Sequence, residues 1–307
     1  MREAADNRFG SVDISIIIIC DKIRQPQLDR LLYSMHSSLE KYNTEVLLLQ
    51  ESDVALSEPE LPVDVRYFTI PAKKGIPFNR NKGIEYALGK LIVFIDDDCW
   101  VQEKWLQGLI EPLIKDEKLM AVTSGTRIPP SNFIGDCVSA LGFPGGGSLG
   151  FEKVWRVSSE GFTNHLAVGN CALRREVFDS VGMFDEKMRF GAEDAELSVR
   201  LEKAGIPIYY AREGFAYHEA RTTWRGFVDW QLRRGRANYH FKQKVGSVGG
   251  FVKLRLWSAK NIFVANILNW KVLFIFFFLG ASFVLQQRGY WIEKKRVEDE
   301  ASKRRSG

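Results

Sequence analysis

The sequence predicts an α/β fold, a mostly parallel sheet flanked by helices and followed by a hydrophobic helical segment near the C-terminus. Three observations predict it. Short aliphatic runs alternate with stretches whose apolar residues recur at helical spacing, the pattern of strand, helix, strand units feeding a parallel sheet. The runs lack polar alternation, as expected of strands covered on both faces. Finally, residues 262–285 are apolar with few interruptions.

Residues 15–20 (SIIIIC) make the first strand, and residues 27–42 place Leu28, Leu31, Leu32, Met35 and Leu39 on one face of a helix. Residues 45–49 (EVLLL) and 65–70 read as further strands, 81–88 as a helix and 91–95 (LIVFI) as the fourth strand. A helix is expected over residues 100–110. Beyond Val122 the chain turns Gly- and Pro-rich; Gly142, Gly145, Gly146, Gly147 and Gly150 fit either a mobile loop that closes over a substrate or a plain surface loop. Ordered sequence resumes at Leu166. Leu197, Leu201 and Ala204 mark a helix opened by Gly191 and stopped by Gly205 and Pro207, and residues 208–211 a short strand. The expected division is an N-terminal extension (1–12), a sheet domain (13–240), a membrane-associated helical segment (241–290) and a charged, solvated tail (291–307).

A composition of 45% hydrophobic and 26% charged residues is that of a globular protein and excludes disorder as the default. The basic residues form no single stripe interleaved with stacking aromatics, so no nucleic-acid partner is expected. Cys20, Cys99, Cys137 and Cys171 are widely spaced without a CxxC pattern, which fits a reducing compartment better than a disulfide framework. Residues 16–19 are too short a run for a secretory signal, and a cytoplasmic location is expected.

The second half of the apolar segment, VLFIFFFLGASFVL, has no charge. A bilayer span takes roughly 20 apolar residues, while runs of about 10 to 14 are more often buried or interfacial. A core helix, a spanning helix and an in-plane helix all remain open. Basic flanks (Lys253, Arg255 and Lys260; Arg288, Lys294 and Lys295) and a Lys271 able to snorkel favour lipid contact. The expected place is the cytoplasmic face of a membrane, peripheral or single-pass.

In parallel sheets ligands collect beyond the carboxyl ends of strands. There Asp96, Asp97 and Asp98 follow LIVFI directly. Three crowded carboxylates need a cation or hydrogen bonds, and hard oxygen donors suit Mg2+ or Mn2+ with phosphates completing the shell. Such a triplet also suits a helix cap, a phosphotransfer receiver or a nucleotidyltransferase. Glu193 and Asp194 fall in a first helical turn, where the dipole favours the ionised form a general base requires. Acids there also simply stabilise helices. His218, between aromatic neighbours, reads as a structural histidine or as a metal ligand.

Taken in order, SIIIICDK, EVLLLQESD, RNKGIEYALGKLIVFIDDDC, AVGNCALRREVFDSVGMFDE, GAEDAELSVRLEKAGIPIYY and FAYHE resemble glycosyltransferase family 2, over about residues 13–240. The resemblance implies a GT-A, Rossmann-like fold and an inverting, metal-dependent transferase that takes a nucleotide-diphosphate sugar. It implies that Asp194 is the catalytic base with Glu193 as its neighbour, and that Asp98 and His218 bind Mn2+ or Mg2+. Asp96 is then nearest the ribose, with Asp97 beside it. Asp21, Glu51 (Asp53 in reserve), Arg80 and Asn81 are near the nucleotide, and Gly169 and Asn170 lie under the donor sugar. Arg233 and Arg236, with Arg234, Arg221 and Arg225 as further candidates, would offset diphosphate charge. Gln50-Glu51 stands where many relatives carry an acidic pair, Cys20-Asp21 replaces Pro-Thr, and Gly235 replaces the Trp of the processive Gln-x-x-Arg-Trp motif. One added sugar is therefore expected rather than a polymer, on a glycan or lipid-linked acceptor.

Two other readings remain. A sugar nucleotidyltransferase would need a Gly-rich phosphate loop soon after the first strand, and residues 21–27 (DKIRQPQ) contain no Gly. A membrane-bound, non-catalytic sugar-nucleotide sensor or scaffold would bind donor without forming product.

Overall fold

The structure, a computed structural model, describes residues 12–20, 23–54, 61, 63–246 and 249–306. The chain runs β1 (Ile14–Cys20), α1 (Gln25–Leu39), β2 (Thr44–Glu51), β3 (Arg66–Ile70), α2 (Ile76–Tyr86), β4 (Leu91–Ile95), β5 (Cys99–Trp100), α3 (Trp105–Lys115), β6 (Ala121–Thr123), β7 (Thr126–Arg127) and α4 (Phe133–Ser139). It continues through α5 (Phe151–Val154), β8 (Phe162–Thr163), β9 (Asn170–Arg174), α6 (Glu176–Val181), α7 (Glu193–Lys203), β10 (Ile208–Tyr210) and β11 (Ala216–His218). Three helices close it: α8 (Trp224–Val245), α9 (Gly249–Asn266) and α10 (Val272–Ser306).

Eight strands form the main sheet in the order β3-β2-β1-β4-β9-β6-β10-β8, with β5-β11-β7 as a small second sheet. β1 pairs in parallel with β2 and β4, whereas β9 runs antiparallel between β4 and β6. Strand alternation splits the core in two. Ile14, Ile16 and Ile18 meet Leu28, Leu31 and Leu32 of α1 and Leu106 and Leu109 of α3, while Ile17 meets Ile84 of α2 in the layer that holds Leu197 and Leu201 of α7. Each such fully buried side chain contributes about 1.5–3 kcal/mol. The strand order reverses direction at β1, so the crevice beyond the carboxyl ends of β1 and β4 is where a ligand is expected.

Three local expectations are corrected. The helix expected at residues 100–110 starts only at Trp105, because Cys99 and Trp100 pair with His218 and Tyr217. The glycine-rich stretch is not a plain surface loop but is bonded to and packed on its neighbours. Thr126 N donates to Gly145 O and Ile128 N to Gly147 O, and a Cβ on Gly147 would lie 2.2 Å from Ser139 O. The charged stretch from residue 291 is no separate tail but the continuation of α10.

α8 and α10 lie side by side. Gly235 and Gly289 make this possible: a Cβ on Gly235 would lie 2.1 Å from Gln286 O, and one on Gly289 2.2 Å from Leu232 O. Gln286 Nε2 donates to Gln231 Oε1 (2.7 Å), and the buried Glu293 accepts from Arg236, Arg296 and His240. Phe227, Ile262, Ile275 and Phe278 join Cys137, Val138 and Leu141 in a third cluster that fastens these helices to α4.

Candidate active site

The end of β4 and the start of α7 converge through one side chain. Arg80, buried on α2, lies 3.5 Å from Asp96 Oδ1 by its Nη2 and donates by its Nη1 to Glu193 Oε1. Asp96 follows β4 and Glu193 opens α7, so the two acidic groups share one guanidinium. Burial opposes the charge on Arg80, but Glu193, Asp96 and Asp194 outweigh it and hold the guanidinium charged.

Ala192, left-handed at φ 67°, turns the chain into α7. That conformation costs a non-glycine residue roughly 1–2 kcal/mol. The dipole of α7 favours ionised acids in its first turn, yet burial prevails and raises both the Glu193 and the Asp194 carboxyls. The pair is not equivalent. Glu193 is committed to Arg80, whereas the Asp194 side chain keeps 35% of its surface open and lies 3.9 Å from His165 Nε2. His165 is itself held neutral, its pKa pushed down to about 3 by burial.

The other end of the triplet meets β11. Because β5 and β11 pair with His218 opposite Cys99, His218 Nε2 comes to 3.0 Å from Asp98 Oδ1. The ring's Nδ1 faces Glu219 O at 2.7 Å. A proton on Nδ1 satisfies that carbonyl and a second on Nε2 is donated to Asp98; burial opposes the imidazolium charge, but Asp98 outweighs it and raises the His218 pKa. Burial opposes the Asp98 charge, but His218, Arg221 and Arg24 hold its carboxyl well below the usual range. Asp97 behaves oppositely: burial and the adjacent Asp98 push it up to about 6, although Arg24 Nη2 donates to both its oxygens at 2.9 Å.

The remaining candidates divide. Gly169 is packed against Asp96, where a Cβ would lie 2.3 Å from Oδ2. Glu51 accepts from Lys73 N and Asn79 Nδ2, and Asp53 from Ala72 N, at the carboxyl end of β2. Asp21 lies outside the described residues.

Three of the expected site residues bind neighbours within the chain. Asn170 is fully buried, with its amide bonded to Gly125 O, Gly214 O and Trp105 Nε1, so nothing remains to meet a sugar. Asn81 is likewise used up, stapling the Phe184 backbone and Glu186. Arg236 is bound to Glu293 and stacked 3.8 Å above Phe190, so its charge is spent on the α8–α10 seam. Arg233 is exposed and Arg225 pairs outward with Asp229. Besides Arg24 and Arg80, the cations whose fields reach the acids include Arg221, toward Asp98, and Arg234, toward Asp194. Burial pushes Arg234 down to about 9, with Arg255 adding to the effect.

Sequence reasoning missed Arg24 and His165. Arg24 lies in the first strand-to-helix connection, where a cation near the ligand crevice is a readable signal. His165 carries no motif and is found only through its distance to Asp194.

The sequence model of glycosyl transferase family 2 matches residues 15–182, more than half of the chain. Polypeptide N-acetylgalactosaminyltransferase 11 of Xenopus tropicalis is 25% identical over 219 residues, 62% of this chain and 35% of that protein. The glucosyl-dolichyl phosphate glucuronosyltransferase of Haloferax volcanii is 27% identical over 178 residues, 52% of each. The chain thus spans between a third and about half of the length of these relatives. Among solved structures, the Pyrobaculum calidifontis mannosyltransferase PcManGT, in complex with GDP-Man and Mn2+, superposes with a TM-score of 0.53 at 15% identity, covering 92% of this chain and 83% of that one. GalNAc-T7 with UDP, GalNAc and Mn2+ gives 0.51 at 15% identity, covering 83% and 57%. The shared architecture is the GT-A fold.

Proposed function

The chain belongs to glycosyl transferase family 2, and from that premise we propose that it transfers one sugar, with inversion, from a nucleotide-diphosphate sugar to a hydroxyl acceptor. The observation that carries this reading is Arg80 held between Asp96 and Glu193. It ties the strand-end acids to the helix-start acids in one crevice. Asp194, open where Glu193 is committed, is the general base that takes the acceptor proton. A single available carboxylate with no second nucleophile assigned beside it fits direct, in-line displacement.

Asp98 and His218 would hold Mn2+ or Mg2+. The fit is testable on their spacing: two ligands about 2.1 Å from one ion at right angles lie about 3 Å apart, and Asp98 Oδ1 and His218 Nε2 are 3.0 Å apart. Cys99 Sγ also lies within 4.8 Å of these atoms, but a soft sulfur donor suits Mn2+ or Mg2+ poorly beside carboxylate and imidazole. When bound, the ion supplies charge stabilisation to the leaving diphosphate. The chain itself adds Arg221 beside Asp98 and Arg234 beside Asp194 as fixed positive groups, and Gly169 leaves Asp96 unobstructed.

We place the protein on a membrane by α9 and α10, lying in the interface rather than crossing it. α10 is long and apolar enough to span, and only 22% of its most apolar window is buried, which disfavours a core helix. Its partner α8 disfavours spanning. Trp224 and Phe227 of α8 pack against Phe277 and Phe278, so the charges of Arg225, Asp229 and Arg233 would enter the bilayer with α10. Each charge at mid-bilayer costs about 2.5–3.5 kcal/mol or more. Interfacial seating instead immerses Leu268 (97% exposed), Trp270, Leu273 and Phe277 with basic groups at the rim. The thiols are all free and buried, which suits the cytoplasmic face, and seating at the head groups suits a glycan or lipid-linked acceptor.

The test is a thermal-shift panel of sugar nucleotides with Mn2+. The reading expects at least one donor to stabilise the protein, by about 2.7 kcal/mol at a hundredfold excess over Kd, and to be hydrolysed or transferred with inverted anomeric configuration. Stabilisation without turnover for any acceptor would instead identify a sensor.

A further inference from the structure

Beside the base lies a cavity of about 370 Å3 that the transfer chemistry described above does not use. It falls within the range of small-ligand sites, roughly 300–1,000 Å3. One wall is the α7 face carrying Ala195, next to Asp194 in the chain, and Val199, about one and a half turns further on. Opposite stand Trp155 and His165, with Lys253 of α9 completing the lining.

Two features point to a ligand. His165 joins the cavity to the base, lining the one and lying 3.9 Å from Asp194 Oδ2. Trp155 stacks on His165 with ring centroids 3.4 Å apart, so an aromatic plane forms this end of the cavity wall. Around it, the Asn164 amide, the Glu202 carboxylate and the neutral His165 offer donors and acceptors together, beside the apolar surfaces of Val199 and Leu254. That mixture suits a ring whose hydroxyls both donate and accept and whose C–H face lies on an aromatic plane.

We propose that this cavity is the acceptor site and that it takes a pyranoside, the terminal sugar of a glycan, whose hydroxyl reaches Asp194 past His165. The proposal rests on the transferase reading above and names its acceptor class. His165 acts as a positioning residue: its uncharged imidazole accepts or donates one hydrogen bond and leaves the proton transfer to Asp194.

The experiment uses the full chain, Mn2+ and the donor that stabilises it, with methyl and p-nitrophenyl pyranosides as acceptor probes. Hydrolysis of the donor and transfer to the probe are measured separately. Val199→Trp fills the cavity without touching the base; it is expected to abolish transfer while donor hydrolysis and the donor-induced thermal shift stay within about twofold of wild type. Trp155→Ala is expected to raise the acceptor KM at least tenfold with little change in donor KM, and Trp155→Phe to recover part of it. Equal transfer by wild type and Val199→Trp would overturn the site. A wild type that hydrolyses donor yet transfers to no pyranoside would overturn the ligand class. Absence of donor binding in the wild type would overturn the underlying transferase reading instead.

Discussion

The acids at this site carry different charges for reasons that belong to their neighbours. Asp98 is held ionised by His218, Arg221 and Arg24, Asp97 is driven toward neutrality, and Asp194 is raised by burial. A base must be deprotonated to act, so kcat/KM should fall as pH falls through the raised Asp194 pKa, placing the acidic limb above the ordinary carboxylate range near 3.8. Removing the guanidinium in Arg80→Gln takes away a charge that lowers both Glu193 and Asp194. The limb should then move to higher pH in a pH–rate profile, and the variant should lose about 3–5 kcal/mol of stability by denaturant melting, the typical result of stranding a buried charge. For the metal pair, His218→Gln should raise the Mn2+ concentration needed for half-maximal donor hydrolysis by about tenfold or more. An unchanged Mn2+ dependence would remove His218 from the ligand set.

At the scale of elements, strands with strong patterns were readable in the sequence and short ones were not. β1, β2 and β4 lie where their aliphatic runs put them, within a residue or two. The two-residue β5 has no pattern to read, and its pairing with β11 is what delivers His218 to Asp98. The positions of the acids were legible because strand ends and first helical turns have local signatures. The fates of Asn81, Asn170 and Arg236 were not, because only tertiary neighbours reveal that Phe184, Trp105 and Glu293 take up their hydrogen bonds. Gly235 illustrates both sides. The sequence showed a missing aromatic, while the structure supplies the steric reason in the approach of α10. Gly235→Trp should therefore destabilise the fold by at least about 1–3 kcal/mol, the usual cost of overpacking. Glu293→Gln should lower stability near neutral pH. The Glu293 pKa is depressed when folded, so its contribution is present above the unfolded value and fades as pH falls through the folded one. The variant and the wild type should converge in acid; a constant gap across pH would contradict the ionic account of that seam.

The whole molecule joins a sheet covered by helices on both faces to a helical hairpin with an apolar outer surface. The hairpin meets the catalytic unit at α8, which carries both Arg234, whose charge reaches Asp194, and Gly235, the contact with α10. Membrane seating and active-site charge are thus built on one helix. Sedimentation with anionic vesicles should deplete the protein from solution, and Leu268→Asp with Leu273→Asp should release it while leaving donor-induced stabilisation intact. Retention of the double variant would mean that another surface, or a true span, holds it.

The central claim is that the acids at the end of β4 and at the start of α7 act on one bound donor, with Asp194 as the base. The direct measurement is turnover and donor-induced thermal shift of Asp194→Asn, side by side with the wild type. The account predicts a loss of turnover of about 100- to 10,000-fold, the usual scale for general-base catalysis, with the donor-induced shift preserved. Turnover at the wild-type level in Asp194→Asn would contradict it.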